Sequence, residues 1–326
     1  MLAAEILAPG PENEICLMEK PRPVCGAHEV LIRVEAFGVN RADILQRQGK
    51  YPPPPGSVST PGLECAGRIA AVGENVCNFS ENDAVFALVA AGACAEYCLA
   101  DARLVRPIPR GWSFIEAAAL AEALVTAHAT VFELGALKSG ETLLMHGAGS
   151  GITSLAIQMA RLIGAQIITT ANHPEKCEKA LQYGAHRAIN HTTEDFLSLC
   201  GESSVDVAVD FIGGDYVDKH LRLLKSCGRL IQIACMQNHQ CTFNLARLVQ
   251  KRLCLQGFVL RSQAADEKAM LFTRAINRWW PALQEGAIKP VIDAVFPFDE
   301  LASAHQRLQD SRHFGKIIVC PPLRSS

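Results

Sequence analysis

Residues 143–165 read LLMHGAGSGITSLAIQMARLIGA, and this stretch carries the clearest structural pattern in the chain. A short apolar run comes first, glycines follow at alternate positions, and an apolar helical pattern comes last. This order is typical of the strand, turn and helix that open a dinucleotide-binding unit. The third glycine of such motifs is replaced by Thr153, which raises the question whether the turn still binds a nucleotide.

Glycines in the turn allow the backbone to approach a pyrophosphate, and the following helix offers free N–H groups with partial positive charge. Thr153 occupies a position that mainly serves packing between helix and strand, so phosphate binding remains compatible with it. An ordinary tight turn between a strand and a helix is the alternative. We predict a nucleotide pocket with altered helix seating, formed by Gly147, Gly149, Ser150, Gly151 and Ile152.

Downstream of Glu141, short apolar strands alternate with helical segments. Such alternation predicts a parallel sheet with right-handed crossovers, which is a doubly wound Rossmann fold of the α/β class. The predicted strands are residues 142–146, 166–170, 187–189, 205–209 and 229–233.

The first third of the chain is predicted to be rich in β-structure, and 326 residues suggest two domains. The proline run in residues 51–56 predicts a stiff loop. A long alanine-rich helix is expected over residues 112–134, with Ser113 as its N-cap. Other predicted elements are strands at residues 29–36, 67–72, 83–89 and 317–319, and a helix through Trp279 and Trp280.

The composition is 49% hydrophobic and 20% charged, with a formal net charge of -2. This balance is typical of a soluble globular protein and predicts binding to neither nucleic acid nor membrane. The 13 cysteines lack regular spacing, which favours a reducing compartment. The N-terminus lacks the pattern of a signal peptide, and apolar runs such as residues 84–95 are too short to span a bilayer, so we expect a cytoplasmic protein.

The end of the second predicted strand indicates which nucleotide is bound. Residues 169–176 read TTANHPEK, without the acidic residue that usually holds the ribose hydroxyls of NAD. His173 and Lys176 are candidates to meet a 2′-phosphate, so NADPH is favoured over NADH. A merely solvated Lys176 is the alternative.

Three further stretches read GVNRADILQRQGKYPPPPG (residues 38–56), PGLECAG (residues 61–67) and EALVTA (residues 122–127). With the glycine turn, they closely resemble the zinc-independent NADPH:quinone oxidoreductases, the zeta-crystallin-like branch of the medium-chain dehydrogenase/reductase superfamily. The tumour-suppressor-inducible type is the most similar. The resemblance implies a GroES-like β-rich catalytic domain in residues 1–120, completed by residues 261–326, and a Rossmann NADPH-binding domain in residues 121–260.

The resemblance also implies that no metal is bound. Zinc-dependent relatives have a cysteine and a histidine at the positions that match Asn40 and Leu63, and Leu63 has no ligand atom. The structural zinc lobe needs four closely spaced cysteines, whereas this region offers only Cys94 and Cys98.

Without zinc, hydrogen-bond donors must stabilise the negative charge that builds on the substrate oxygen. By resemblance, Asn40 would donate from its amide, Tyr51 from its phenol, and Asp43 would orient one of them. The alternatives are a charge at a helix N-terminus for Asp43 and a packed aromatic ring for Tyr51. Other cofactor contacts implied by the resemblance are Thr126, His191, Phe258, Leu260 and Lys316. Relatives have glycines near residues 234–237, and this chain has none.

The leading hypothesis is therefore an NADPH-dependent reductase of quinones or enones, acting as a homodimer that pairs through an edge of the Rossmann sheet. An enoyl-thioester reductase of the same superfamily is the second hypothesis. An NADPH-binding sensor or structural protein with little turnover is the third.

Overall fold

The structure is a computed structural model that describes residues 1–7, 10 and 14–322. These residues divide into two units. Unit 1 comprises Met1–Ala123 and Ala264–Ser326, and unit 2 comprises Leu124–Gln263.

Strands predominate in the first third of the chain, and strands alternate with helices from Thr142 onward. The strands are β1 (Leu2–Ile6), β2 (Ile15–Glu19), β3 (Glu29–Val39), β4 (Glu64–Val72), β5 (Ala84–Leu88), β6 (Tyr97–Asp101), β7 (Val105–Pro107), β8 (Thr142–Met145), β9 (Gln166–Ala171), β10 (Arg187–Asn190), β11 (Val205–Asp210), β12 (Leu224–Gln232), β13 (Cys254–Gly257), β14 (Ile292–Pro297) and β15 (Lys316–Cys320). The helices are α1 (Arg41–Arg47), α2 (Phe114–Ala117), α3 (Ala121–Ala127), α4 (Gly151–Leu162), α5 (Pro174–Gln182), α6 (Phe196–Cys200), α7 (Tyr216–Leu223), α8 (Leu245–Gln250), α9 (Ala265–Gln284) and α10 (Leu301–Gln309).

Unit 1 is built on a sheet in the order β14-β15-β3-β4-β5-β7, with β6 also paired to β3. The central strand β3 reads EVLIRVEAFGV, and its alternate apolar side chains Val30, Ile32 and Val34 enter the core. Leu31 and Ala36, on the opposite face, are buried as well, so β3 is covered on both faces over most of its length. The strands predicted from residues 29–36, 67–72 and 83–89 are confirmed, and residues 51–56 form a loop.

Unit 2 contains a parallel six-stranded sheet in the order β10-β9-β8-β11-β12-β13. Numbered from β8, this is the order 3-2-1-4-5-6 of dinucleotide-binding folds, so the predicted Rossmann fold is confirmed. The order reverses between β8 and β11. In sheets of this kind, ligands bind at the carboxyl ends of the two strands between which the order reverses. Those strands are β8 and β11, and the glycine turn directly follows β8.

The helix predicted over residues 112–134 is interrupted. Ser113 caps α2 by accepting a hydrogen bond from the backbone N–H of Glu116, as expected, but tighter i-to-i−3 bonds then separate α2 from α3. A π-helix, His128–Leu134, follows α3. The whole stretch Phe114–Leu134 is long and apolar enough to cross a membrane, which the sequence analysis missed, yet 78% of the tested window is buried, as in a core helix.

Candidate active site

The glycine turn leads from β8 directly into α4. Gly147 has a φ of +62°, and the N–H of Ala148 donates to the carbonyl of Thr170 at 2.8 Å, which ties the turn to β9. Ser150 is the N-cap of α4, which begins at Gly151. The first N–H groups of a helix have no partner within the helix, so those of Gly151 and its successor are available to an anionic ligand.

Thr153 joins the helix to the preceding strand by hydrogen bonds. Its side chain is fully buried, and its hydroxyl donates to the carbonyl of His146 at 2.9 Å. The same oxygen accepts from Ser150 Oγ at 2.9 Å, and the Thr153 N–H donates back to Ser150 Oγ at 3.0 Å. The threonine therefore replaces close glycine packing with a polar connection, while the turn keeps the geometry of a phosphate site.

Replacing Thr153 by valine should lower the free energy of unfolding by about 1–3 kcal/mol, because the buried carbonyl of His146 loses its donor. Thr153→Ser keeps the hydroxyl and serves as the matched control, with a smaller loss expected. Denaturant unfolding measures both variants. A valine variant as stable as the unsubstituted protein would show that these hydrogen bonds do not hold the helix.

Beyond β9, backbone contacts bring the residues predicted to select NADPH to the strand end. His173 is the N-cap of α5, and the N–H of Lys176 donates to the His173 carbonyl at 3.1 Å. His191 lies beside the strand end, since its N–H donates to the carbonyl of Ala171 at 3.0 Å. Partial burial lowers the pKa of His191, which disfavours its protonated form.

Two buried histidines lie beneath the turn. Their Nε2 atoms, in His146 and His220, are 2.7 Å apart, and His146 Nδ1 is 2.8 Å from Thr170 Oγ1. On the far side, His220 Nδ1 lies 3.9 Å from a carboxylate oxygen of Asp210. Burial lowers the pKa of each histidine to about 3, so both rings are neutral at pH 7 and link β8, β9 and α7 by hydrogen bonds.

The available side chains do not fit zinc. In the part of the chain that the structure describes, one group of three side chains of the types that bind metals has its ligand atoms within 4.8 Å of one another. It consists of His146, Asp210 and His220. Two nitrogen ligands of one zinc ion lie about 3.3 Å apart, so the 2.7 Å separation is a hydrogen bond. Leu63, which the resemblance aligns with a zinc-binding histidine, is a buried aliphatic side chain.

Asn40 lies at the centre of a polar cluster in unit 1. It follows β3 and is the N-cap of α1. Its side-chain carbonyl accepts from Lys316 Nζ at 2.6 Å, and its amide donates to Glu64 Oε1 at 3.0 Å and to the Gly38 carbonyl at 3.3 Å. Contrary to the prediction, the structure offers no free amide donor at Asn40, because both of its amide hydrogens are engaged.

Lys316 was predicted to contact the cofactor. In the structure its ammonium is buried and donates to both Asn40 and Glu64. The positive charge is therefore compensated inside unit 1 by the Glu64 carboxylate.

Asp43 acts through the backbone. Its buried carboxylate accepts from the N–H of Asn40 at 2.7 Å and from the N–H of Gly62 at 3.0 Å. These contacts cap α1 and hold the loop before β4, so the alternative of a helix-terminal charge describes it better than a catalytic role. Tyr51 is half-buried, and its N–H donates to the Leu45 carbonyl at 3.2 Å, which fixes the start of the proline loop.

The remaining predicted cofactor residues lie in unit 2. The carbonyl of Thr126 accepts from the Thr130 hydroxyl at 2.7 Å, just before the π-helix. The N–H of Phe258 donates to the Gln232 carbonyl at 2.9 Å, and Leu260 follows it, half-buried.

The stretch without glycines, residues 234–237, is a loop that follows β12. The N–H groups of Met236 and Gln237 donate to the carbonyls of Phe211 and Ile212, each at 2.9 Å. These bonds tie the loop to the residues that follow β11.

Sequence reasoning missed Glu64 and the histidine pair. Glu64 was part of a recognised motif, but nothing in the letters shows that its carboxylate meets Asn40 and Lys316 across the sheet. His146 and His220 are far apart in sequence, and only the neighbouring positions of β8 and α7 bring them together.

Comparison with known proteins gives consistent matches. Residues 26–136 match the alcohol dehydrogenase GroES-like domain, and residues 183–319 match the zinc-binding dehydrogenase family. Human quinone oxidoreductase is 31% identical over 303 residues, which cover 91% of this chain and 90% of the human protein. Escherichia coli quinone oxidoreductase complexed with NADPH matches with a TM-score of 0.87 and 26% identity, over 98% of this chain and 99% of that one. The CurK enoyl reductase matches with a TM-score of 0.87 and 27% identity, also over 98% and 99%.

Proposed function

Because the chain belongs to the medium-chain dehydrogenase/reductase superfamily and is an oxidoreductase related to quinone oxidoreductases, we propose that it reduces quinones or other activated alkenes and carbonyls with NADPH and without zinc. The glycine turn is the observation that carries this proposal. Its backbone, with Gly147 at positive φ and α4 beginning at Gly151, has the form that a pyrophosphate requires.

Preference for NADPH is supported by the surroundings of the β9 end. Ala171 and Asn172 occupy the places where an acidic side chain would bind the ribose of NAD, and Lys176 offers a positive charge one turn into α5. The proposed cofactor contacts are Thr126, Gly147, Gly149, Ser150, Gly151, Ile152, His173, Lys176, His191, Phe258 and Leu260.

Bound NADPH would supply the hydride. The protein must then stabilise the negative charge that develops on the substrate oxygen. We assign this role to the phenol of Tyr51 and to the ammonium of Lys316, which has a third N–H beyond the two that Asn40 and Glu64 accept. This scheme needs no metal ion, and the aliphatic side chain of Leu63 has no atom that could bind one.

The proposal is tested by NADPH oxidation with a panel of quinones, using protein treated with a chelator and checked for residual zinc by elemental analysis. We expect turnover that is unchanged by chelation and is faster with NADPH than with NADH. Activity that disappears with zinc and returns on its addition would overturn the zinc-independent proposal.

The likeness to the CurK enoyl reductase supports a second candidate, reduction of enoyl thioesters. Faster turnover of a crotonyl thioester than of any quinone would favour that candidate. A sensor with little turnover is the third candidate, motivated by the missing glycines at residues 234–237, and tight NADPH binding without turnover of quinones, enones or enoyl thioesters would favour it.

We also propose a homodimer formed through β13, the edge strand of the parallel sheet. Exposed apolar side chains cluster in and beside this strand, namely Val249, Leu255 and Val259. An exposed apolar edge of this kind requires a partner. Sedimentation equilibrium should give twice the chain mass, and a monomer at micromolar concentration would contradict the proposal.

A further inference from the structure

We infer that Glu64 is a positioning residue for the reduction, because its buried carboxylate fixes the side chains of Asn40 and Lys316. This inference rests on the proposed function, which places the ammonium of Lys316 beside the substrate oxygen. Glu64 itself lies behind Asn40 and Lys316, with 0% of its surface exposed, and acts through them.

The two carboxylate oxygens of Glu64 have different partners. Oε1 accepts from the Asn40 amide at 3.0 Å and from the Lys316 ammonium in a very short contact. Oε2 accepts from the backbone N–H of Glu122 at 3.0 Å. Since Lys316 also donates to Asn40 Oδ1 at 2.6 Å, the three side chains close a triangle of hydrogen bonds.

Gly38 makes room for this carboxylate. A Cβ atom at Gly38 would lie 2.5 Å from Glu64 Oε1 and 2.8 Å from the carbonyl oxygen of Ala118. Both distances are well inside van der Waals contact, so the glycine in β3 is required for the carboxylate to reach its three donors.

Stability alone does not require an ion pair here, because a buried pair is often replaced by apolar side chains without loss of stability. The triangle does fix the Asn40 amide, whose carbonyl faces the ammonium and whose NH₂ faces the carboxylate. It also compensates the charge of Lys316, which would be costly to bury unpaired. A dipole and a charge held in advance need little reorganisation when negative charge develops on a substrate.

The test compares Glu64→Gln and Glu64→Asp with the unsubstituted protein in steady-state quinone reduction with NADPH. We expect Glu64→Gln to lower kcat about 100-fold, with KM for the quinone and Kd for NADPH within threefold of the original values. Glu64→Asp keeps the charge and should recover about a tenth of the original kcat.

The matched control is Glu141→Gln. Glu141 in unit 2 pairs with a basic side chain, Arg229, as Glu64 pairs with Lys316, and it also accepts a backbone N–H, that of Lys138. This variant should lose stability while its kcat stays within twofold of the original.

If Glu64→Gln does not fold, Glu64→Asp carries the test, because it keeps the charge but draws the carboxylate away from Asn40 and Lys316. A folded Glu64→Gln or Glu64→Asp variant with kcat within threefold of the original would overturn this inference alone. Failure of both variants to fold would also overturn it, since the carboxylate would then be needed only for folding. An unsubstituted protein that binds NADPH but reduces no quinone would overturn the proposed function and this inference together.

Discussion

Acidification from pH 7 to pH 5 should lower the free energy of unfolding by about 6 kcal/mol through three buried histidines. Burial lowers the pKa of His146, His220 and His305 to about 3 in the folded protein. In the unfolded chain each returns to about 6.5, so only the unfolded chain binds protons between these values. The contribution to stability is therefore complete above pH 6.5 and is lost as the pH falls toward 3, at about 1.4 kcal/mol per pH unit for each histidine.

Urea unfolding at pH 7, 6 and 5 measures this loss, which is comparable to the whole stability of a typical domain. His305 provides the sharpest check, because neither of its ring nitrogens has a hydrogen-bond partner among the residues that the structure describes. His305→Leu should reduce the pH slope by about a third. His239→Leu, at an exposed position, serves as the control for the exchange of a histidine for leucine. Equal slopes in both variants would show that His305 is not held neutral.

Replacing Gly147 by alanine should weaken NADPH binding about 100-fold. The added Cβ would overlap Phe211 Cζ, and the φ of +62° is unfavourable for any residue with a side chain. The turn must rearrange, which displaces the N–H groups that face the phosphates. Two lost hydrogen bonds to a charged group, at about 1.5 kcal/mol each, correspond to this change.

Gly140 allows the effect of φ to be separated from that of crowding. It has a φ of +78°, yet a Cβ there would meet nothing within 4 Å. Gly140→Ala should therefore lose about 1 kcal/mol of stability and keep its NADPH affinity. Titration of both variants by NADPH fluorescence is the measurement. Equal affinities would show that Gly147 is not part of the phosphate site.

The Rossmann sheet was predictable because each of its buried strands is a compact apolar run followed by a helical pattern. Five of its six strands, from β8 to β12, were identified, and the motifs in residues 38–67 correctly indicated the superfamily that the comparisons show. The edge strand β13 was recognised only as an apolar edge, and the short strands β1, β2, β6, β7 and β14 were missed. They are only 3 to 6 residues long, so their sequences carry little alternation from which a strand can be predicted.

The site was predictable where chemistry depends on the backbone and less so where it depends on side-chain partners. The glycine turn follows from its spacing. The hydrogen bonds of the Asn40 amide and the capping role of Asp43 could not be predicted from spacing. Their partners Glu64, Lys316 and Gly62 lie in other parts of the unit 1 sequence. Thr153 was predicted to leave phosphate binding possible, which stays a prediction, and its hydrogen bond to His146 was not foreseen.

The central claim is that this chain has a working nucleotide site that prefers NADPH. Paired fluorescence titrations of the purified protein with NADPH and NADH test it most directly. We predict saturable binding of both, with NADPH at least tenfold tighter, because we propose that Lys176 and its neighbours bind the 2′-phosphate. If neither NADPH nor NADH binds, the account is contradicted, since Thr153 and the residues around it would then have closed the pocket.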